Sequence, residues 1–163
     1  MKLGRRKQPP NPPSGENPYL GLRRQFLELG PEVVDAPLRA VALELGMAGG
    51  SASVVCVADG TTSMYTSGGG GYLGMGGHEP VRQANAVFRA AVAARLDTLA
   101  PTVDVPLPGA GEVNVVAVTA DGVRLLRCAE AAAKDPGSPA YPLYVAGQIV
   151  VTQIRLVAEA RGR

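Results

Sequence analysis

The sequence predicts an α+β protein with a central antiparallel sheet of four to five strands packed by three helices. The prediction depends on an apolar strand, an Asp-Gly turn and a second strand that occur in this order twice, each time followed by a longer helical pattern. The chain has 163 residues, of which 46% are hydrophobic and 18% charged, so it can bury the core of one domain.

The two hairpins are read from the segments VVCVADGTTSMY and VVAVTADGVRLL. Asp59-Gly60 and Asp121-Gly122 favour type I′ turns, in which both central residues have positive φ. A hairpin makes its two strands antiparallel. The apolar runs Val54–Val57 and Val113–Val118 are therefore predicted to lie centrally in one antiparallel sheet.

Three segments have capping or boundary residues and a spacing of apolar residues that are typical of helices. The first helix is predicted over 18–29, with Asn17 as N-cap and Pro18 at the first helical position. The second runs from Pro80 to about Leu99, and the third starts near Ser138. Each has apolar residues on one face.

The segment 38–47, LRAVALELGM, has no clean polar face, so a buried strand and a short helix both fit its pattern. We favour the strand.

Residues 1–16 are rich in proline and carry four basic residues and one acidic residue, whereas the remaining residues carry 12 basic and 13 acidic residues. We expect a flexible basic leader over 1–16 and a single domain over 17–163. The nearly neutral domain predicts no specific nucleic-acid partner.

The sequence contains no apolar run of membrane-spanning length and no secretory signal, which predicts a cytoplasmic protein. Cys56 and Cys128 lie in apolar strand-like runs, which favours reduced, buried thiols over a disulfide. One histidine and two separated cysteines form no recognised ligand set, so we expect no metal and no cofactor.

The order of helix, strand, hairpin, helix, hairpin and helix over residues 18–158 resembles the profilin-like and roadblock/longin-type domains. That resemblance implies a central antiparallel sheet packed by helices. The sequence departs from those folds over 129–137, where they have a further strand, and no functional residue transfers. The whole chain also resembles bacterial α/β proteins with a Gly-rich strand and a terminal helix, which implies no activity.

The segment 66–80, TSGGGGYLGMGGHEP, is the most distinctive stretch and contains the only histidine. It lacks the Gly-Lys-Ser/Thr of a phosphate-binding loop, and Glu79 would compete with a phosphate. We expect the glycines to mark a kinked strand where another backbone approaches closely. The alternative is a binding surface. Its candidate residues are Gly69, Gly70, Gly71, Tyr72, Leu73, Met75, His78 and Arg82.

These patterns favour a non-enzymatic cytoplasmic adaptor or assembly module that binds a protein partner or associates with itself. One alternative is a module that binds a small anionic ligand or nucleotide through residues 67–77. Another is a hydrolase or transferase with His78 as base and Cys56 as nucleophile, although nothing in their spacing requires it.

Overall fold

A computed structural model describes residues 17–162, so the predicted leader lies outside the described residues. The helices are α1 (Pro18–Leu27), α2 (Glu79–Ala94), α3 (Glu130–Ala133) and α4 (Tyr141–Arg161). The strands are β1 (Leu38–Met47), β2 (Gly50–Val57), β3 (Thr62–Thr66), β4 (Gly71–Tyr72), β5 (Ala100–Thr102), β6 (Glu112–Thr119) and β7 (Gly122–Ala129). All strand pairs are antiparallel, in the order β4-β3-β2-β1-β6-β7-β5.

The α+β class and the antiparallel sheet are confirmed, but the predicted numbers of elements were too low. Within the described residues the sheet has seven strands rather than four to five, and four helices replace three. The unpredicted elements are β4, β5 and α3, which span only two, three and four residues. A strand pattern repeats about every 2 residues and a helix pattern about every 3.6 residues, so elements this short hold little more than one repeat, which sequence spacing does not reveal.

The ambiguous segment 38–47 is the central strand of the sheet. Strand β1 pairs with β2 on one side and with β6 on the other. Val41 and Leu43 belong to one core, whereas Ala40 and Ala42 belong to the core on the opposite face. Because both faces are covered, the strand has no alternating polar face, and this is why its sequence pattern was ambiguous.

Helices cover both faces of the sheet. Helices α2 and α4 pack against each other and cover the larger core, in which Phe88, Leu143 and Ile154 are completely buried. Helix α1 covers the opposite face with Tyr19 and Phe26. No helix within 17–162 is long and apolar enough to cross a membrane.

Helix boundaries follow the local capping chemistry. The side chain of Asn17 accepts a hydrogen bond from Tyr19 N at 3.0 Å, which confirms the predicted N-cap of α1. Helix α2 ends at Ala94, before the predicted Leu99, and a short 3₁₀ turn follows it. The last helix begins at Tyr141 rather than near Ser138, because Ser138 instead closes a preceding turn by accepting hydrogen bonds from Ala140 N and Tyr141 N.

The Asp-Gly segments form the two predicted hairpins, but the type I′ assignment was wrong. No non-glycine residue among those described has positive φ, whereas Gly60 and Gly122 have φ of +94° and +121°. In the first hairpin Gly60 N donates to Val57 O, and Val57 N donates to Thr61 O at 2.8 Å. This is a three-residue loop in which only the glycine takes the left-handed conformation.

Candidate functional site

The glycine run forms the turn between β3 and β4 and the start of the edge strand β4. Gly69 and Gly70 have φ of +97° and +81° and connect β3 to β4. Gly71 pairs with Tyr65, and a Cβ added to Gly71 would lie 2.8 Å from Tyr65 Cα. Since real Cβ atoms do not approach a backbone this closely, the geometry requires glycine at position 71.

Residues 74–77 form a compact 3₁₀ connection to α2. Met75 is 4% exposed and belongs to the larger core, so its side chain is not presented to a ligand. A Cβ added to Gly76 would lie 2.9 Å from the carbonyl carbon of Gly60, whereas a Cβ on Gly77 would meet open space. Close approach of two backbones therefore accounts for Gly76, as it does for Gly71.

The entrance of α2 brings His78 and Arg82 near a polar cavity of about 220 Å³. The cavity is lined by Asp59, Gly60, Thr61, Gly74, Gly76, Gly77 and Arg82. The Arg82 guanidinium forms an ion pair with Glu79 and donates to Gly76 O at 3.3 Å. The positive charge of Arg82 is thus already neutralised by the first residue of the helix.

Cys56 lies in the larger core and is completely buried. Burial raises the pKa of its thiol to about 12, which keeps it protonated at neutral pH. His78 is the N-cap residue of α2, and its side chain makes no capping hydrogen bond. The structure therefore surrounds the proposed nucleophile with apolar side chains rather than with a base.

An apolar groove lies on the other face of the sheet, between α1 and strands β2 and β3. Its volume is about 140 Å³. The groove is lined by Leu22, Gln25, Phe26, Leu29, Val55, Val57, Ser63, Tyr65 and Leu73. Leu73 is 59% exposed and directly follows β4, whose Tyr72 is 42% exposed. An apolar groove thus lies beside one edge of the sheet.

The structure therefore divides the eight predicted site residues among four places. Gly69, Gly70, Gly71 and Tyr72 lie at the sheet edge, Leu73 lines the groove, Met75 lies in the core, and His78 and Arg82 lie at the entrance of α2. The other groove residues were not predicted as a site, because their apolar spacing also indicates the core face of a helix or strand.

A buried polar network beneath α1 was also missed. The Arg23 guanidinium donates to both carboxylate oxygens of Glu44, at 2.7 and 2.9 Å, and to Val105 O at 2.8 Å. Ser53 and Asn114 donate to the same carboxylate. The available signal was Glu44 in the mostly apolar segment 38–47, because a buried carboxylate needs a partner.

The charges in this network are balanced. Burial by itself lowers the pKa of Arg23, but the hydrogen bond that Arg23 donates to Glu44 and the negative charge of Glu44 raise that pKa above the usual value. Within 17–162 only Arg39 Nε and Asn114 Oδ1 are buried side-chain polar atoms without a hydrogen-bond partner. The satisfied ion pair indicates a structural role, in which Arg23 ties α1 to β1 and to the segment at Val105.

A wider cleft of about 350 Å³ lies on the opposite side of α1, next to residues 103–105. Its apolar walls are Leu20, Leu27 and Val103. Glu28 and Asp104 add negative charge and Arg24 adds positive charge. Arg23 also lines this cleft but is already bound to Glu44. No group of three or more His, Cys, Asp or Glu side chains suited to a metal ion occurs in the part of the chain that the structure describes.

Comparison with protein-family models, with curated proteins and with solved structures finds no match to this chain.

Proposed function

We propose that this protein is a non-enzymatic adaptor or assembly module that binds an extended segment of a partner protein at the groove between α1 and β3. The observation that carries this proposal is the apolar groove of about 140 Å³ beside the edge strand β4. A cytoplasmic location is part of the same proposal.

The groove and the edge strand supply two complementary kinds of contact. An edge strand has unpaired backbone N–H and C=O groups, which an added strand of a partner can satisfy. A neighbouring apolar groove accepts a side chain of that strand and so provides sequence preference. Leu22, Phe26 and Leu73 offer such a surface, with Gln25 and Ser63 as polar groups in the same lining.

The size of the groove limits the partner to one large apolar side chain at this position. A volume of about 140 Å³ accommodates one aliphatic or aromatic side chain rather than a whole helix face. We therefore expect the partner segment to be extended and to contain one leucine, isoleucine or phenylalanine. The residues next to this side chain should be uncharged.

A display library of random heptapeptides tests the proposal with the full chain as bait. We expect the selected peptides to share one large apolar residue and to bind with a Kd that fluorescence anisotropy can measure. Leu73→Asp should weaken their binding at least tenfold, because it places a charge at the mouth of the groove.

Val33→Asp is the matched control, since Val33 and Leu73 are both 59% exposed and only Leu73 lines the groove. Peptide binding should survive in this variant. Equal weakening by both substitutions, or no selection above background, would contradict the groove as the binding site.

One observation favours the second candidate function, a small anionic ligand at the entrance of α2. The cavity there is polar, and both Arg82 and backbone of the predicted glycine loop line it. The ion pair between Arg82 and Glu79 argues against it, because an anion would have to displace the carboxylate. Stabilisation by inorganic phosphate or by a nucleotide, lost in Arg82→Gln, would support this candidate.

The third candidate, a hydrolase or transferase centred on His78 and Cys56, receives no such support. A thiol with a pKa of about 12 in an apolar core is a poor nucleophile at neutral pH. If a screen finds hydrolase or transferase activity and Cys56→Ala retains it in full, this role is excluded.

A further inference from the structure

The cleft of about 350 Å³ between α1 and residues 103–105 extends along most of α1. Five residues line its helical wall at the spacing of one helix face: Leu20, Arg23, Arg24, Leu27 and Glu28. Clefts that hold ligands have volumes of about 300–1,000 Å³. This cleft is therefore large enough to hold several side chains of an extended segment.

The chemistry of the cleft changes along the helix. Leu20 lies three residues after Asn17 and is apolar, whereas Glu28 at the far end is acidic. Asp104 on the opposite wall is a second acid. Arg23 is balanced by Glu44, so Arg24 and the two acids leave one excess negative charge in the lining.

We propose that the cleft binds residues 5–13 of the chain's own predicted leader, RRKQPPNPP. Counted backwards from Asn17, the four prolines come first and the three basic residues follow. Along α1 the apolar Leu20 likewise comes first and the acidic Glu28 last. The two orders match when the leader runs antiparallel to α1.

The length of the leader is sufficient for this arrangement. Glu28 lies eleven residues beyond Asn17, which is about 17 Å at the helical rise of about 1.5 Å per residue. The ten residues from Lys7 to Asn17 can span about 33 Å when extended. The excess allows the chain to reverse direction at Ser14-Gly15, since glycine and serine favour turns.

The residue types of the leader fit the lining. Proline has an apolar ring and no N–H, so its burial against Leu20 and Leu27 leaves no donor unsatisfied. The basic residues are opposite in charge to Glu28 and Asp104. Because the leader is attached to α1, its effective concentration at the cleft is high and weak contacts are enough for binding.

Limited proteolysis of the full chain tests this proposal, because trypsin cleaves after Arg5, Arg6 and Lys7. Mass spectrometry follows the cleavage at these three bonds. In the native chain they should be cut at least tenfold more slowly than in a synthetic peptide of residues 1–16, since a bound segment must leave the cleft before trypsin can act. The rate should not depend on the concentration of the chain, because the contact is intramolecular.

The double variant Glu28→Gln/Asp104→Asn should raise the cleavage rate about fivefold, because both acidic partners of the leader are lost. Its matched control is Glu32→Gln/Asp35→Asn, which removes the same charge at two exposed acids outside the lining and should leave the rate unchanged. Circular dichroism verifies that each variant is folded. The single variants Glu28→Gln and Asp104→Asn replace the double variant if it is not.

Three results would overturn the proposal. Cleavage as fast as in the peptide would show that the leader does not occupy the cleft. Equal acceleration in the two double variants would show that the cleft acids have no specific role. Protection that increases with the concentration of the chain would assign the contact to the leader of a second copy.

Discussion

Arg23 and Glu44 form a two-pronged ion pair in the core beneath α1, with donor-acceptor distances of 2.7 and 2.9 Å. Arg23 is 9% exposed and Glu44 is 1% exposed. The pair connects α1 to the central strand of the sheet, and one wall of the groove belongs to the same helix. The position of α1, and with it the shape of the groove, therefore depends on this contact.

Arg23→Leu should destabilise the protein by about 3–5 kcal/mol, because Glu44 would remain buried without its charge partner. Urea unfolding at neutral pH measures this change. The double variant Arg23→Leu/Glu44→Leu should lose much less free energy of unfolding than the two single variants lose together.

Gln25→Leu is a control on the same helix, because Gln25 is exposed. It should change the free energy of unfolding by less than about 0.5 kcal/mol. Additive losses in the double variant would show that the two side chains do not interact as the structure indicates.

Gly76→Ala and Gly77→Ala should have opposite effects on stability. The added Cβ at position 76 would lie 2.9 Å from the Gly60 carbonyl carbon, which requires the backbones to move apart and costs about 1–3 kcal/mol. At position 77 the Cβ meets open space and φ is not positive, so alanine should be neutral or stabilise by up to about 1 kcal/mol. Thermal unfolding of both variants gives the comparison, and equal losses would contradict the close-approach explanation.

The two cysteines should differ in their reaction with Ellman's reagent. Both are free thiols, but Cys56 is buried with a pKa of about 12, whereas Cys128 is partly exposed. Burial also raises the pKa of Cys128. We therefore expect one thiol to react slowly in the native protein and both thiols to react after denaturation.

Cys128→Ser should abolish the native reaction and leave one thiol in denaturant. A native reaction that persists in this variant would show that Cys56 is accessible.

Glu112→Gln should reduce stability at neutral pH but not in acid. The hydrogen bond from Arg127 lowers the pKa of Glu112, and a further hydrogen bond from Gly109 N acts in the same direction. A lowered pKa in the folded state contributes stability above the unfolded value of about 4.3, and this stability is lost as pH falls through the folded value.

Melting temperatures of the wild type and Glu112→Gln over the range from about pH 2 to pH 7 test this expectation. The two curves should converge at low pH. Since this carboxylate is exposed, the difference at neutral pH should be small. A constant difference at every pH would show that the loss does not come from ionised Glu112.

The sequence determined the α+β class, the two Asp-Gly hairpins and the cap of α1, because these depend on local patterns and turn chemistry. It also indicated that close packing explains glycines in the segment 66–80, and Gly71 and Gly76 have that geometry. Neither the strands β4 and β5 nor the short helix α3 could be predicted, because each holds little more than one repeat of its hydrophobic pattern.

Only the tertiary structure decided which side chains meet. It made 38–47 the central strand, placed Met75 in the core and paired Glu44 with Arg23, which is 21 residues away along the chain. The groove likewise combines residues of α1 with β2, β3 and Leu73. Such surfaces arise from contacts between distant segments, whereas sequence patterns report the periodicity within each segment separately.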